Sequence, residues 1–265
     1  PGLCKTQTRR IRRKKEGLAG CYERSMTTAP SPPQLILLPG LLNDAELWRD
    51  QISGLADVAR IWVPDLTPYA TIRAMAEHVL DRAEPTFALA GFSMGGYVAQ
   101  DIARIAPERI ERLALLDTSI HVDTPERAAQ RRALNKAAAK GGTFLGIGQA
   151  IMKSYIDASR LDDVDLTRRI VDMTQRLGRE VFLRQNSLER EDGEAALRAL
   201  RVPLVVIVGE NDQITPVEGH RRMAAAIGCS HLVVIPSAGH MTPMEAPGAV
   251  NGALRHWLAR PAGHR

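Results

Sequence analysis

Cysteine is scarce: Cys4, Cys21 and Cys229 are the only three in 265 residues. They form no CxxC pair and no Cys/His ligand spacing, so neither a zinc site nor a disulfide framework is implied, and a reducing cytoplasm is the expected compartment. Long apolar runs are lacking too. The longest, Leu35–Leu38 and Leu204–Val208, are strand-sized, far short of the roughly eighteen residues a membrane-spanning helix needs. A basic groove is also missing, although the formal charge is +5. Residues 1–25 hold eight basic groups against Glu16 and Glu23, which leaves the rest of the chain close to neutral. Charge that steers nucleic acid is therefore not expected on the body.

Residues 1–25 show neither alternation nor a helical apolar stripe and read as a disordered basic tail. The tail lacks the continuous apolar stretch of a secretory signal, though its Arg-rich, acid-poor make-up has something of an organellar transit peptide. Met26 offers a simpler reading. A chain starting there runs at once into the first strand, and residues 1–25 become an extension that need not be native.

What remains alternates apolar runs with amphipathic stretches. The runs are Gln34–Leu38, Arg60–Val63, Thr86–Ala90, Arg112–Leu116, Leu204–Val208 and Leu232–Ile235. Continuously apolar runs of this length suit parallel strands buried on both faces. Helical patterns fall at Ala45–Leu55, Thr71–Ala83, Met94–Ala106, Pro216–Ile227 and Ala246–Leu258. Asp44 and Thr71 are candidate N-caps, and Pro216 suits a first helical turn. The prediction is an α/β fold with a doubly wound, mostly parallel sheet of about six strands. The rhythm breaks between residues 121 and 200, where helical segments replace strands: Pro125–Ala139, Phe144–Ile156, Asp165–Leu177, Glu180–Leu188 and Glu194–Leu200. That stretch reads as a helical lid inserted into a core formed by residues 34–120 and 201–260.

The strongest local signal is the strand–turn–helix passage from Thr86 to Tyr97, which contains Gly91-Phe92-Ser93-Met94-Gly95. A nucleophile raised on a sharp turn crowds its neighbours, and glycines two positions away relieve the collision. The helix starting at Met94 turns free N–H groups and a positive dipole end toward an oxygen that gains charge. The turn is not a phosphate loop, since it fits neither G-x-x-x-x-G-K-S/T nor G-x-G-x-x-G. Asp212 follows the strand Leu204–Val208, and His240 follows the strand Leu232–Ile235. The order Ser, Asp, His, each at a strand's carboxyl end, is that of a nucleophile elbow with its acid and base.

With G-F-S-M-G-G, V-G-E-N-D-x-I-T-P and S-A-G-H-M-T-P-M-E-x-P, the chain resembles the α/β-hydrolase superfamily over about residues 34–260. It is most similar to small cofactor-free esterases, enol-lactonases and C–C hydrolase-like members. The resemblance implies a catalytic triad of Ser93, His240 and Asp212, with Met94 N–H as one oxyanion donor and Leu41 N–H as the second. It also implies no metal and no organic cofactor. Two departures stand out. Relatives carry His-Gly where this chain has Pro39-Gly40, and the first hairpin of the fold is missing, since seven residues separate Met26 from Gln34.

Competing candidates have blander readings. Asp117 could supply the triad acid, but bracing the entry to the lid suits it better. His78, His220 and His256 lie in helical stretches and are expected at the surface; His231 precedes a strand, His264 is terminal, and His121 suits a lid hinge. Leu42, Trp48, Phe144 and Met241 are candidate pocket-lining residues, with Trp48 equally suited to the core. Tyr69, Met152, Met173 and Phe182 divide between packing and pocket. The expected activity is cleavage of a small-molecule acyl substrate (an ester, lactone or related compound) through an acyl-serine, with no nucleic acid or membrane span involved. Ser93 in place of an aspartate sets the dehalogenase and epoxide-hydrolase branches aside. The alternatives are C–C hydrolase, lyase or acyltransferase chemistry on the same triad, or a non-catalytic receptor using the fold. Neither the substrate nor the oligomeric state follows from the sequence.

Overall fold

A computed structural model describes residues 32–261, apart from the side chains of residues 149 and 150. The readings placed on residues 1–25, on Met26 and on His264 lie outside that range. Six parallel strands form one sheet in the order β2-β1-β3-β4-β5-β6. The first half runs β1 (Gln34–Leu38), α1 (Arg49–Gly54), β2 (Arg60–Trp62), α2 (Ile72–Arg82), β3 (Phe87–Phe92), α3 (Met94–Ile105) and β4 (Ile110–Leu116). Four helices follow: α4 (Pro125–Ala139), α5 (Gln149–Tyr155), α6 (Val164–Asn186) and α7 (Glu194–Ala199). The chain then closes with β5 (Leu204–Gly209), α8 (Val217–Ala226), β6 (Leu232–Ile235), α9 (Thr242–Glu245) and α10 (Pro247–Leu258). None of the described helices is long and apolar enough to cross a membrane.

The continuous apolar runs form central strands because each buries both faces. Successive residues point to opposite sides, so Leu35, Leu37, Ala88, Ala90, Leu116 and Ile207 join one core cluster. Their neighbours Ile36, Leu38, Leu89, Leu115 and Val206 join the other. Val250, Leu254 and Trp257 of α10 cover the first face. Met75 and Val79 of α2, Val98 and Ile102 of α3, and Met223 of α8 cover the second. Replacing a fully buried leucine such as Leu89 by alanine would cost about 2–5 kcal/mol.

Strand order reverses between β1 and β3, since β2 lies on one side of β1 and β3–β6 extend on the other. A crevice outside the carboxyl ends opens at such a reversal, and Ser93 follows β3 there. The helices α4–α7 all fall between β4 and β5. Ile147, Met152, Ile156, Ile170 and Met173 from this insertion share the first cluster with Trp48, Phe92 and Met241. Gly178, at φ 79° and ψ 178°, interrupts α6, at the break expected between its two helical segments. The insertion's two ends meet, with Gly193 N–H donating to Ile120 O at 2.8 Å and His121 Nδ1 lying 3.1 Å from Asp192 Oδ2.

Local boundaries differ in several places; the helix expected from Phe144, for example, begins only at Gln149. The first helix begins at Arg49 instead of Ala45, because residues 41–48 form turns; Asp44 Oδ1 accepts from Glu46 N–H at 2.9 Å and so caps a turn, not the helix. Pro216 is the N-cap of α8 and lies just outside its first turn. Thr71 caps α2 as expected, with its hydroxyl accepting from Ala74 N–H at 3.0 Å.

Candidate active site

Ser93 sits at φ 50° and ψ −112°, a backbone state that a non-glycine residue keeps only when its surroundings enforce it. Here its N–H donates to Leu116 O at 2.9 Å, and Thr118 Oγ1 donates to its carbonyl at 2.7 Å. The glycines explain themselves by contact. A Cβ on Gly91 would lie 2.6 Å from Gly95 O, and one on Gly95 would lie 2.4 Å from Leu38 O. The turn therefore presses against the end of β1 with no room for side chains. Met94 opens α3, so its N–H has no acceptor within the helix.

The other two groups arrive from β5 and β6. His240 Nε2 lies 3.0 Å from Ser93 Oγ, and His240 Nδ1 lies 2.8 Å from Asp212 Oδ2. Asp212 Oδ1 accepts from Ile214 N–H at 2.8 Å and Thr215 N–H at 2.9 Å, and Thr215 Oγ1 donates to Asp212 Oδ2 at 2.6 Å. Burial works to raise the Asp212 carboxyl, but His240 and the Thr215 bonds outweigh it and hold the group below its ordinary range. An ionised Asp212 places the proton of neutral His240 on Nδ1 and leaves Nε2 to accept from the serine hydroxyl. A hydroxyl, an imidazole and a carboxylate thus lie in one chain within hydrogen-bond reach, the pattern a nucleophile, base and orienter would need.

A brace around His240 was not legible as such in the sequence. Buried Glu245 accepts from Gly239 N–H and Met241 N–H, each at 2.9 Å, and from Asp157 N–H at 2.7 Å. One carboxylate thus holds the peptide on both sides of the imidazole and ties it to the insertion. Asp157 Oδ2 in turn accepts from Asn211 Nδ2 at 2.6 Å, beside Asp212. The Phe92 and Tyr155 rings pack on the His240 ring at 5.2 and 5.8 Å between centroids. The glutamate lies within the motif that ends in M-E-x-P, but nothing in residue order says which N–H groups it meets.

Asp117 does not reach His240. It is fully buried at φ 46°, accepts from Gly209 N–H at 3.0 Å and accepts from the Thr242 hydroxyl. Burial first, and then the negative Asp212, push its carboxyl well above the ordinary range. His220 is not at the surface. It is 1% exposed, with Nδ1 3.2 Å from Pro216 O and Nε2 accepting from Thr118 N–H at 3.0 Å. The cue was its place in a stripe with Met223, Ala224 and Ile227, all buried. Burial lowers its pKa to about 4.

The loop after β1 crosses the elbow. A Cβ on Gly40 would meet Asn43 Oδ1 at 2.6 Å and the Phe92 ring at 2.8 Å, so the loop admits no side chain at that position. Leu41 is half-buried. Leu42 takes φ 55°, and its N–H donates to Gln185 Oε1 of α6 at 2.8 Å. Trp48 and Met241 are buried, and the Trp48 ring meets the Phe92 ring edge-on at 6.3 Å. Phe144 lies against Phe182 at 5.8 Å, inside the insertion. Among the described residues, no group of three or more His, Cys, Asp and Glu side chains is gathered as metal ligands are. A cleft of about 550 Å³ lined by Arg49, Arg160, Arg168 and Arg169 lies elsewhere. Each of those guanidinium groups already faces a carboxylate, and none of Ser93, Asp212 and His240 lines that cleft.

Residues 35–253 match the alpha/beta hydrolase family. A pimeloyl-(acyl-carrier protein) methyl ester esterase of Aromatoleum aromaticum is 24% identical over 234 residues, which cover 81% of this chain and 94% of that protein. The dihydrolipoyllysine-residue acetyltransferase component of an acetoin cleaving system from Pseudomonas putida is 27% identical over 85% of this chain, which spans 63% of its length. A thermophilic esterase from Thermogutta terrifontis superposes with a TM-score of 0.76 at 32% identity, covering 85% of this chain and 89% of that one. The enol-lactonase from Burkholderia xenovorans shares the fold, with a TM-score of 0.71 at 22% identity over 86% of this chain and 92% of that one.

Proposed function

The chain belongs to the alpha/beta hydrolase family, and from that premise we propose that it is a serine hydrolase cleaving a small ester, lactone or related acyl compound. One observation carries the reading: Ser93 Oγ, His240 Nε2, His240 Nδ1 and Asp212 form a continuous relay at 3.0 and 2.8 Å, raised on a strained turn.

The reaction runs in two halves. Ser93 Oγ attacks the substrate carbonyl carbon while His240 Nε2 takes its proton, and the carbonyl oxygen becomes an oxyanion. Met94 N–H and Leu41 N–H receive that charge; one such donor is worth about 10²–10³-fold in rate. His240 then gives its proton to the leaving oxygen, the old acyl–oxygen bond breaks, and an acyl-serine remains. A water molecule attacks that ester with His240 again as base. The carboxylic acid departs and the Ser93 hydroxyl is restored. Asp212 keeps its charge throughout and stabilises the imidazolium.

Helices of residues 121–200 serve as the lid over this site, and Leu42, Trp48, Phe144 and Met241 are assigned to its acyl pocket. Cys229, a buried thiol, suits a reducing cytoplasm. The test is reaction with a fluorophosphonate probe and short-chain p-nitrophenyl esters beside a Ser93→Ala variant. Labelling and turnover that vanish in the variant are expected. A folded wild type that neither labels nor turns over would sink the proposal and leave a non-catalytic receptor as the better reading.

A further inference from the structure

Two non-glycine residues in the left-handed region follow neighbouring strands at the same level. Phe92 of β3 pairs with Leu116 of β4, and the next residue on each chain is Ser93, at φ 50°, and Asp117, at φ 46°. Such backbone states persist only where the surroundings enforce them. The residues on either side of Asp117 grip Ser93 from both ends. Leu116 O accepts from Ser93 N–H at 2.9 Å, and Thr118 Oγ1 donates to Ser93 O at 2.7 Å. Gly96 lies just beyond the five-residue elbow, and this bond explains it: a Cβ there would fall 2.2 Å from Thr118 Oγ1. The Thr118 backbone is fixed in turn, its N–H donating to Nε2 of buried His220 at 3.0 Å.

Asp117 serves the other two loops. Its Oδ1 accepts from Gly209 N–H at 3.0 Å, and its Oδ2 accepts from the Thr242 hydroxyl. Gly209 ends β5 three residues before Asp212, and Thr242 comes two residues after His240. The two loops cross at that glycine, since a Cβ on Gly209 would lie 1.9 Å from the carbonyl oxygen of Gly239, the residue before His240. One buried dipeptide therefore bonds to all three loops that carry Ser93, Asp212 and His240. None of these bonds involves the side chain of Ser93, Asp212 or His240. Apolar side chains would fill the same space without the desolvation cost of a carboxylate and a hydroxyl, but they would leave the loops free to shift against one another.

We propose that Asp117 and Thr118 are positioning residues for the hydrolytic reaction. Thr118 sets the Ser93 carbonyl, and with it the hydroxyl, against His240 Nε2. Asp117 sets the loop of Asp212 against the loop of His240. The proposal rests on the serine-hydrolase reading above and adds to it a group that acts through the backbone of the relay.

The experiment removes one hydroxyl at a time with little change of shape. Thr118→Val and Thr242→Val are compared with Thr118→Ser and Thr242→Ser. The readings are kcat/KM for p-nitrophenyl butyrate, the urea midpoint, and both the rate constant and the final extent of fluorophosphonate labelling at Ser93. Each valine variant is expected to lower kcat/KM and the labelling rate constant by roughly tenfold or more, because small misplacements are expensive at a reacting centre. Each serine variant keeps the donor and should recover most of that loss, even where the missing methyl lowers the urea midpoint. A fold that is merely weaker would reduce the extent of labelling and leave its rate constant unchanged. If a valine variant does not fold, Thr118→Ala or Thr242→Ala takes its place under the same expectations. Hydroxyl-free variants that label at the wild-type rate constant, or serine variants that fall as far as the valine ones, overturn the proposal, while labelling of the wild type keeps the hydrolase reading intact. Absence of labelling in the wild type removes both.

Discussion

The main-chain N–H of His240 donates to the carbonyl oxygen of Tyr155 at 2.8 Å. The imidazole facing Ser93 is therefore fastened to the insertion as well as to its own strand. Met241 N–H reaches the same oxygen at 3.2 Å, and Asp157 continues the seam to Glu245 and Asn211. A Cβ on Gly239 would lie 2.7 Å from the Ile156 carbonyl carbon, which shows how closely the two segments are pressed together. Residues 155–157 therefore join the insertion to the loop that carries His240.

Removing the acid of the relay separates geometry from charge. Asp212→Asn is expected to lower kcat by about 10⁴-fold, because an amide no longer secures the Nδ1–H tautomer of His240. Far-ultraviolet circular dichroism should show the fold retained while stopped assays read the rate. A variant with nearly wild-type turnover would mean that Asp212 is not the orienting acid.

Glu245→Gln removes one acceptor from a carboxylate that serves three N–H groups. Leaving a buried donor unmet costs about 1–3 kcal/mol, and urea unfolding should show a loss of that size. A shifted His240 backbone should also slow fluorophosphonate labelling of Ser93, by roughly tenfold or more, since small misplacements are expensive at a reacting centre. Normal labelling in a destabilised variant would limit Glu245 to holding the fold.

Asp117 gives stability a pH dependence of definite sign. Its folded-state pKa is raised above the ordinary 3.8 by burial and by Asp212, so between the two values the folded protein holds a proton that the unfolded chain has lost. Stability from this group is complete below 3.8 and declines as the pH rises through the folded value. Asp117→Asn removes the titrating group and keeps an acceptor oxygen for Gly209 N–H. The variant should gain on the wild type in unfolding titrations as the pH is raised above 3.8 and through the folded value. Parallel curves for the two proteins would contradict a raised Asp117 pKa.

His220 acts with the opposite sign. Its pKa falls from 6.5 to about 4 on burial, so on acidification the unfolded chain takes up a proton that the folded protein refuses. Stability is lost as the pH drops from 6.5 toward 4, by up to about 3 kcal/mol. His220→Gln should be weaker at pH 7 but flatter across this window. If imidazole resonances of the folded protein show His220 titrating at its ordinary value, the buried neutral tautomer is wrong.

Much of this fold was legible because its signals are local. The strand cores Leu35–Leu38 and Leu204–Val208 are too apolar for any but doubly covered positions. Gly91 and Gly95 mark a backbone crossing that excludes every side chain. The same elbow, with an acid and a histidine after later strands, sufficed to nominate Ser93, Asp212 and His240. Where a residue's role depended on a helix's buried face, reading by element type failed: His220 sits in an ordinary helical run, and only packing against β4 and β5 turns it inward. Asp44 has the chemistry of a cap, yet the turns at residues 41–48 take it away from the helix end.

The sequence by itself determined the order of strands and helices and the residue types at each strand end, because burial periodicity, glycine sterics and turn chemistry act over a few neighbours. Only the tertiary structure decided the partners. Leu42 and Gln185 lie 143 positions apart and Asp157 and Glu245 lie 88 apart. A hydrogen bond requires two atoms to come within about 3 Å, and no local pattern records which distant backbone group a buried amide or carboxylate will meet.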